Sequence, residues 1–383
     1  MIDFKDFEKL EFLMFSIERL ADQLLQSQKK IIKLTLGKCE FPLSDQVVDV
    51  FKNILDNKST REIVLPHGLT ELKQKISQRY KTMGINVDLN TIIIHNGTSP
   101  IFKSLFSFLL KPNDVVVLPK PYYPLYLVSA LLSSSIVKYY NINTETGEID
   151  FESLLTLVKE NSNIKLIVIN NPGNPLGNVI KKDDLYKLYQ LVDNKFYIIS
   201  DEIYDNIVFN GQFASMLEVS DNNSNIIITN GFSKGHRMYS RRLGFAILPP
   251  QLIPSFQVIL EHTVLTVDPA LQYAGIKALE LEDEVKIITD LYKKRSEYTY
   301  ITLLNSKIKP IFSEGSFYFS LDCRDYCKKN SFKNSVNLAI DILNTTGVAL
   351  VPGEDFGLSG FLRLSFTNSQ YEEAIDRLYD YFK

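Results

Sequence analysis

Short runs of aliphatic and β-branched residues recur along this chain, each separated from the next by a longer stretch of different periodicity. They are IIIH (Ile92–His95), VVVLP (Val115–Pro119), LIVIN (Leu166–Asn170), YIIS (Tyr197–Ser200), IIITN (Ile226–Asn230) and FAIL (Phe245–Leu248). Runs this uniformly apolar read as strands buried on both faces rather than strands with one wet side. Between them, LTELKQKISQRYKTMG, IFKSLFSFLL and KKDDLYKLYQLV place apolar residues at helical spacing. The alternation predicts an α/β fold: a three-layer α/β/α large domain in which helices cover both faces of a mainly parallel sheet.

After Pro249-Pro250 the rhythm changes. Helical patterning runs from Ala270 to Asn305, followed by GSFYFSLD, a helix over Val336–Asn344 and VALVPG, which together suggest a smaller α+β domain. A helix from roughly Phe7 to Lys30 precedes Gly37 and is expected to fold back onto that domain. The expected division is therefore 43–284 for the large domain, with 1–42 and 285–383 forming the small one. A chain of 383 residues with 45% apolar content has enough material for two cores.

Charge narrows the choice of partner. Lys and Arg total 42 against 45 Asp and Glu, a net charge of −3, which offers no broad attraction to nucleic acid or anionic membrane. Small molecules are the expected partners. No stretch approaches the ~20 apolar residues that a membrane-spanning helix needs. Cys39, Cys323 and Cys327 form neither an even framework nor a CxxC pair, which favours free thiols in a reducing, cytoplasmic setting. His67, His95, His236 and His262 lack HxH or HxxxH spacing, so no metal site is read.

The chemical motifs fall where strands end, the edge at which an open α/β sheet presents its ligand crevice. NGTS (Asn96–Ser99) follows a strand and opens a helix, so Thr98 and Ser99 either hold a phosphate at the helix N-terminus or simply cap it. PKPYYPLY (Pro119–Tyr126) sets Tyr122 and Tyr123 where a ring can lie against a heteroaromatic group or fill the core. NNPGNPLG (Asn170–Gly177) ends a buried strand in an irregular loop; its Asn174 amide can donate to a ligand oxygen, or the segment can be an ordinary Asn-Pro turn.

SDEIY (Ser200–Tyr204) carries Asp201 just past an apolar run, where a carboxylate needs a cationic partner such as a protonated ring nitrogen, unless it caps a following helix. Tyr204 can add a phenol to the same ring's edge. In GFSKGHRMYSRRLGF (Gly231–Phe245), Lys234 is expected to be crowded by Arg237, Arg241 and Arg242, which would lower its proton affinity and favour the neutral amine that an imine requires. A basic nucleic-acid patch is the competing reading, opposed by the chain's acidic balance and the strand that follows. Arg363 in FLRLSF is a guanidinium inside a strand-like run, suited to a substrate carboxylate or to one of the chain's own acids.

Taken together these segments resemble the aminotransferase class I/II family of pyridoxal-phosphate enzymes with the type I fold, over nearly the whole chain. The resemblance implies that pyridoxal 5'-phosphate is the cofactor and that Lys234 carries it as an imine. It likewise implies that Asp201 faces the pyridine nitrogen, that Asn174 and Tyr204 reach the phenolic oxygen, and that Tyr123 stacks on the ring. Thr98, Ser99, Ser233 and Arg242 resemble the phosphate-side group, and Arg363 the residue gripping the substrate α-carboxylate. LGKCEFP (Leu36–Pro42) is similar to the family's LGEPDFP stretch and would set Gly37 at the substrate mouth; GVALVPGEDFG (Gly347–Gly357) is also family-like.

The implied activity is transfer of an amino group from an L-amino acid to a 2-keto acid by a homodimer. Other reactions on the same cofactor (C–S lyase-type β-elimination, decarboxylation, oxidation) share these residues, and a non-catalytic ligand-binding module is the alternative of another class. Four positions depart from the family pattern. Gly231 stands where many members have Ser or Thr, Ile63 where many have a Tyr directed to the neighbouring subunit's phosphate, and Arg237 with Ser240 where small residues are common.

Overall fold

A computed structural model describes residues 11–39, 41–56, 64–192, 195–221 and 224–383. Strand β1 (Ile32–Lys33) lies apart from the main sheet. The sheet itself comprises β2 (Ile92–His95), β3 (Val115–Lys120), β4 (Ile136–Asn141), β5 (Ile164–Asn170), β6 (Tyr197–Asp201), β7 (Ile226–Gly231) and β8 (Gly244–Ile247), in the order β2-β8-β7-β6-β5-β3-β4. Strands β4, β3, β5, β6 and β7 are parallel, while β8 returns antiparallel between β7 and β2.

All six strands expected from the sequence form, within about two residues of their expected ends. The strand that pattern reading passes over is β4. It sits at the sheet edge with β3 alone beside it, and its residues alternate between exposed and more buried, so IVKYYN lacks the continuous apolar signature of the inner strands.

Alternation along each inner strand divides its side chains between two cores. Ile93, Val116, Val168, Ile199 and Ile227 pack with Phe102, Phe106 and Phe256 from the helices Thr98–Leu109 and Ile253–Thr263. Ile94, Val117, Ile167, Ile198 and Ile228 pack on the other side with Leu72 and Ile76 of the helix Thr70–Thr82 and Leu185 and Leu188 of the helix Lys182–Val192. This is the three-layer arrangement that the periodicity predicts.

The remaining strands are β9 (Lys309–Ile311), β10 (Tyr318–Asp322), β11 (Val348–Ala349), β12 (Val351–Pro352) and β13 (Phe361–Ser365). Four of them form an antiparallel sheet in the order β12-β13-β10-β9, and β11 pairs with β1 in parallel. A third core gathers Ile17 and Ala21 of the helix Leu13–Gln26, Ile288 and Tyr292 of Glu282–Leu303, Leu338 and Ile342 of Ser335–Thr346, and Ile375 and Leu378 of Tyr371–Phe382.

The N-terminal helix is thus shorter than the expected Phe7–Lys30, and residues 7–10 of that expectation lie outside the described residues. The long pattern from Ala270 to Asn305 resolves into two helices, Pro269–Ala278 and Glu282–Leu303. Glu282, Asp283 and Glu284 crowd the first turn of the second, where negative charge complements the helix dipole and favours a fresh start.

One close approach sets the crevice. Gly231 and Gly244 face each other across β7 and β8, and a Cβ on Gly231 would lie 2.9 Å from the Gly244 Cα. A Cβ on Gly244 would lie 2.8 Å from the Gly97 carbonyl carbon and 2.9 Å from the Thr98 nitrogen. The backbones of two strands and of the turn before the helix Thr98–Leu109 therefore touch directly, which pulls that helix N-terminus to the sheet edge. It also explains why Gly231 departs from the family pattern: a Ser or Thr side chain has no room there. Gly244→Ala is expected to lower the folding free energy by about 1–3 kcal/mol, the usual cost of overpacking, with no change in m-value. Urea denaturation checks this, and an unaltered midpoint would mean that the backbones are not in contact.

Candidate active site

At the carboxyl ends of β5 and β6, asparagine side chains add to the sheet hydrogen bonds and tie down the loop that follows β5. Asn170 Nδ2 donates to the Asp201 carbonyl at 3.0 Å while its Oδ1 accepts from the Asn174 N–H at 2.8 Å. Asn171 accepts from the Ile180 N–H at 2.9 Å and donates to the Ala214 carbonyl at 3.1 Å. The first two asparagines of NNPGNPLG thus build the turn, and the third, Asn174, is left facing a cavity of about 240 Å³. The turn reading holds for Asn170 and Asn171, while Asn174 is placed where the ligand-contact reading expects it, at the cavity.

That cavity brings together every site residue expected from the sequence: Gly37, Thr98, Ser99, Tyr123, Asn174, Asp201, Tyr204, Ser233, Lys234, Arg242 and Arg363 all line it. On its floor Asp201 is 4% exposed; Tyr126 Oη donates to its Oδ2 at 2.6 Å, and Thr229 Oγ1 to its Oδ1 at 3.4 Å. Burial pushes its carboxyl up to about 6, against the pull of those hydrogen bonds and of Lys234. No helix follows β6 directly, so Asp201 is not a helix cap.

Lys234 Nζ donates to the Gly37 carbonyl at 3.3 Å and lies 5.1 Å from the ring centres of Tyr239 and Phe317 and 5.7 Å from that of Tyr204. Burial holds its ammonium below the usual lysine range, assisted by the guanidinium charges of Arg363 and Arg242 and opposed by Tyr318 and Asp201. The expected crowding by three arginines is corrected here. Arg237 turns away to the Pro42 carbonyl at 2.7 Å and to Glu284, and Arg241 lies over the Phe51 ring at 5.5 Å. Of the three only Arg242 contributes, because the chain between Lys234 and Leu243 runs through a 3-10 turn and the left-handed Arg237 and Arg242, which fan the side chains apart. Ser240 is exposed at the cavity's rim.

Tyr204 is buried, with its ring edge-on to Phe317 and Tyr318 at 5.4 and 5.9 Å. Burial and the neighbouring Tyr318 phenol raise its own phenol well above the ordinary tyrosine range. Burial alone would raise Tyr318 too, but Lys234, Arg363 and the Tyr204 hydroxyl bring it below the usual value. Of the two hydroxyls, Tyr204 is the one whose surroundings favour the protonated, donating form.

The phosphate-side group is compact. The helix Thr98–Leu109 begins after Gly97 (φ +85°), which is its N-cap residue and supplies no capping side chain, so Thr98 and Ser99 occupy its first turn rather than capping it. Arg242 Nη1 donates to the Ser233 Oγ at 3.3 Å and to the Tyr239 carbonyl at 3.0 Å. A Cβ on Gly97 would fall 2.6 Å from Arg242 Nη2, so only glycine lets the guanidinium reach the helix N-terminus. Helix dipole, N–H groups and a guanidinium converge as an anion site requires. The position of Ile63, the remaining departure on the phosphate side, lies outside the described residues.

On the opposite wall Arg363 is 2% exposed. It donates to the Thr35 carbonyl at 2.6 Å and to Asn174 Oδ1 at 3.2 Å, and it is layered between the rings of Tyr318 at 4.0 Å and Phe356 at 4.8 Å. Its Nε is buried without a partner, and among the described residues no carboxylate pairs with it. The alternative reading of a structural salt bridge is thereby set aside; the guanidinium has donors to spare for an incoming carboxylate. Tyr126, Tyr239, Tyr318, Phe12, Met14 and Leu36 also line the cavity, and sequence reasoning does not single them out. Tyr126 is legible in principle, three residues after Tyr123 and so on the same helical face. Tyr239 lies in the Lys234 segment itself and Leu36 beside Gly37, whereas Phe12, Met14 and Tyr318 arrive from distant segments.

A lysine whose ammonium is disfavoured by burial, a buried carboxylate and an anion cradle at a helix N-terminus meet in this one cavity. The profile of the aminotransferase class I and II family matches residues 29–378. The chain belongs to that family. An aspartate aminotransferase of Thermotoga maritima is 30% identical over 376 residues, covering 95% of each chain, and an asparagine–oxo-acid transaminase of Streptococcus mutans is 28% identical over 370 residues, covering 94% of this chain and 93% of the other. The crystal structure of the Thermotoga maritima enzyme superimposes with a TM-score of 0.88 at 29% identity and covers 96% of each chain.

This aminotransferase has the type I fold and uses pyridoxal phosphate. Its residues fit that cofactor: an amine for an aldehyde, an acid for a ring N–H, and an anion site for a phosphate, all in one cavity.

The Asp201 carboxyl is raised by burial, so the sign of its pH effect is the reverse of a salt-bridged aspartate. The cofactor-free fold is favoured while Asp201 is protonated and loses that contribution as pH rises from 3.8 through about 6, on the order of 3 kcal/mol in all. Asp201→Asn is therefore expected to leave the melting temperature of cofactor-free protein at pH 8 equal or higher, and to shrink the gain in melting temperature on adding pyridoxal phosphate. Calorimetric scans with and without cofactor check both. A variant destabilised without cofactor yet stabilised normally by it would contradict this account.

Proposed function

We propose that Lys234 is the lysine that carries pyridoxal phosphate and that the cavity around it transfers the amino group of an L-amino acid to a 2-keto acid. The observation that carries the reading is the convergence of Lys234, Asp201 and Arg363 on one cavity, each with unmet electrostatic demand. When bound, pyridoxal phosphate supplies a conjugated electron-withdrawing ring that acidifies the α-C–H of an attached amino acid.

The chain's own groups would do the rest. Arg242, Ser233 and the first-turn N–H groups of Thr98 and Ser99 hold the phosphate. Asp201, itself braced by Tyr126, keeps a proton on the ring nitrogen, and the cost of burying its charge is offset only by that cation. Tyr204 and the Nδ2 of Asn174 donate to the ring's oxygen, while Tyr123 covers the ring's face. The α-carboxylate of the donor enters the fork of Arg363, whose Nη1 already touches Asn174 at 3.2 Å, so ring and substrate grips are mechanically linked. With the carboxylate fixed, the Cα–H bond is held towards Lys234, whose Nζ accepts the proton as a neutral amine. Gly37 borders the mouth, where a Cβ would fall 2.1 Å from the Tyr318 hydroxyl and no side chain fits.

The division into a 43–284 unit and a unit built from 1–42 and 285–383 is supported by the separate cores on either side of the cavity. A homodimer and a cytoplasmic setting complete the proposal. They are supported by the family resemblance and by three cysteines that form no disulfide; among the described residues no helix is long and apolar enough to cross a membrane.

Two measurements test it. Lys234→Ala is expected to lower the rate of amino transfer by at least about a thousandfold and to abolish borohydride trapping of the cofactor on the protein. Trapping at a different lysine would overturn the assignment. Arg363→Ala is expected to raise KM for the amino donor roughly a hundredfold while cofactor binding changes little. A loss confined to cofactor affinity would place Arg363 in the wrong role.

A further inference from the structure

We infer that the amino donor preferred by this enzyme carries an uncharged, apolar side chain, and not a second carboxylate. The inference rests on the amino-transfer reading, with Arg363 as the α-carboxylate grip. Met14 and Tyr318 touch that guanidinium, and Phe12, Leu36, Leu125 and Tyr239 add apolar surface to the same cavity. Met14 Sδ lies 3.7 Å from Arg363 Nη2, and the Tyr318 ring lies 4.0 Å from its centre, so apolar surface begins where the grip ends.

Among the described residues the cations lining the cavity are Lys234, Arg242 and Arg363, and each already has a task. Arg242 is turned to Ser233 and the Tyr239 carbonyl at the anion cradle, and Lys234 to the Gly37 carbonyl. Nearby Lys33 faces outward into Glu18 and Asp22 at 2.9 and 2.6 Å. A second substrate carboxylate would therefore shed its water without gaining a counter-charge, whereas an aliphatic, thioether or aromatic side chain would bury apolar area against matching walls.

The apolar wall is fixed rather than incidental. Asp355, 9% exposed, accepts the N–H groups of Leu13 and Met14 at 2.9 Å each, one on each carboxylate oxygen, and pins the first turn of the helix Leu13–Gln26 against the mouth. Phe12 is braced edge-on against Phe15 at 5.5 Å.

Pocket discrimination of this kind is worth about tenfold or more. With holoenzyme, calorimetric titration compares the inert acids 4-methylpentanoate and 3-phenylpropionate with succinate. In parallel, single-turnover loss of the cofactor's aldehyde absorbance compares leucine, methionine and phenylalanine with aspartate. Binding of the two apolar acids, and turnover of the apolar donors, at least about tenfold better than their dicarboxylate counterparts is the expected result. Met14→Ala is expected to narrow that preference several-fold; an unchanged preference would overturn the proposal. Succinate and aspartate winning, for instance through a cation brought by a second copy of this chain, would also overturn it while leaving amino transfer intact. Failure of every acid to bind and of every donor to react would instead remove the underlying reading.

Discussion

A carboxylate buried at the end of a parallel strand is an expensive object, and much of this molecule is arranged around the one at Asp201. The strand period of two sends Asp201 into the cavity and the next residue, Glu202, to the other face. There Ser200 and Ser215 hydroxyls and the Met216 N–H satisfy it at 2.8 to 3.1 Å, and burial pushes it up to about 8. Asp201 is treated differently. It has the Tyr126 hydroxyl, the Ile203 N–H and a long contact from Thr229, yet burial still outweighs them and no cation of the protein pairs with it among the described residues. A buried acid with no cation of the protein's own paired to it is what the proposed role of Asp201, facing a protonated ring nitrogen, would require.

The second determinant is how widely separated pieces are made to meet. Thr35 lies just beyond β1, Asn174 in the loop after β5 and Arg363 in β13, yet the guanidinium donates to both of the others. The helix Leu13–Gln26 is held to the same wall by Asp355. Under the proposed assignment, the groups that would grip substrate come from the chain's first and last segments and those that would hold the cofactor from its middle, and the cavity lies where the two meet. At the opposite end, glycines at 97, 231 and 244 let backbones touch where side chains would hold them apart. Anion cradle and carboxylate grip are therefore fixed by different physics: direct backbone packing in one case, long-range hydrogen bonds of a single arginine in the other.

The inner strands are legible because each lies between neighbours with both faces covered, a condition that leaves a continuous apolar run in the sequence. The edge strand β4 is not, since half-exposed IVKYYN shows no such run. The site residues are legible for a related reason: they stand immediately after those runs, at the carboxyl edge. Tyr318, Phe12, Met14 and Leu36 carry no local mark of function, being ordinary apolar residues that only packing brings to the cavity. Proximity along the chain overstates the positive charge around Lys234, because it does not translate into proximity in space. A turn containing two left-handed residues, Arg237 and Arg242, disperses the arginines, and burial does most of what neighbouring charge is expected to do.

The sequence by itself determined the layered sheet, the edge at which chemistry occurs, and which lysine, aspartate and arginine stand there, because periodicity and strand-end position are local properties that hydrophobic burial reads directly. Only the tertiary structure decided which hydrogen bonds hold Asp201, which cation lies near Lys234, why glycine must occupy position 231, and what wall a substrate side chain would meet. Those outcomes depend on contacts between separate segments, some as far apart as Arg363 and Thr35, and such packing leaves no periodic trace in the chain.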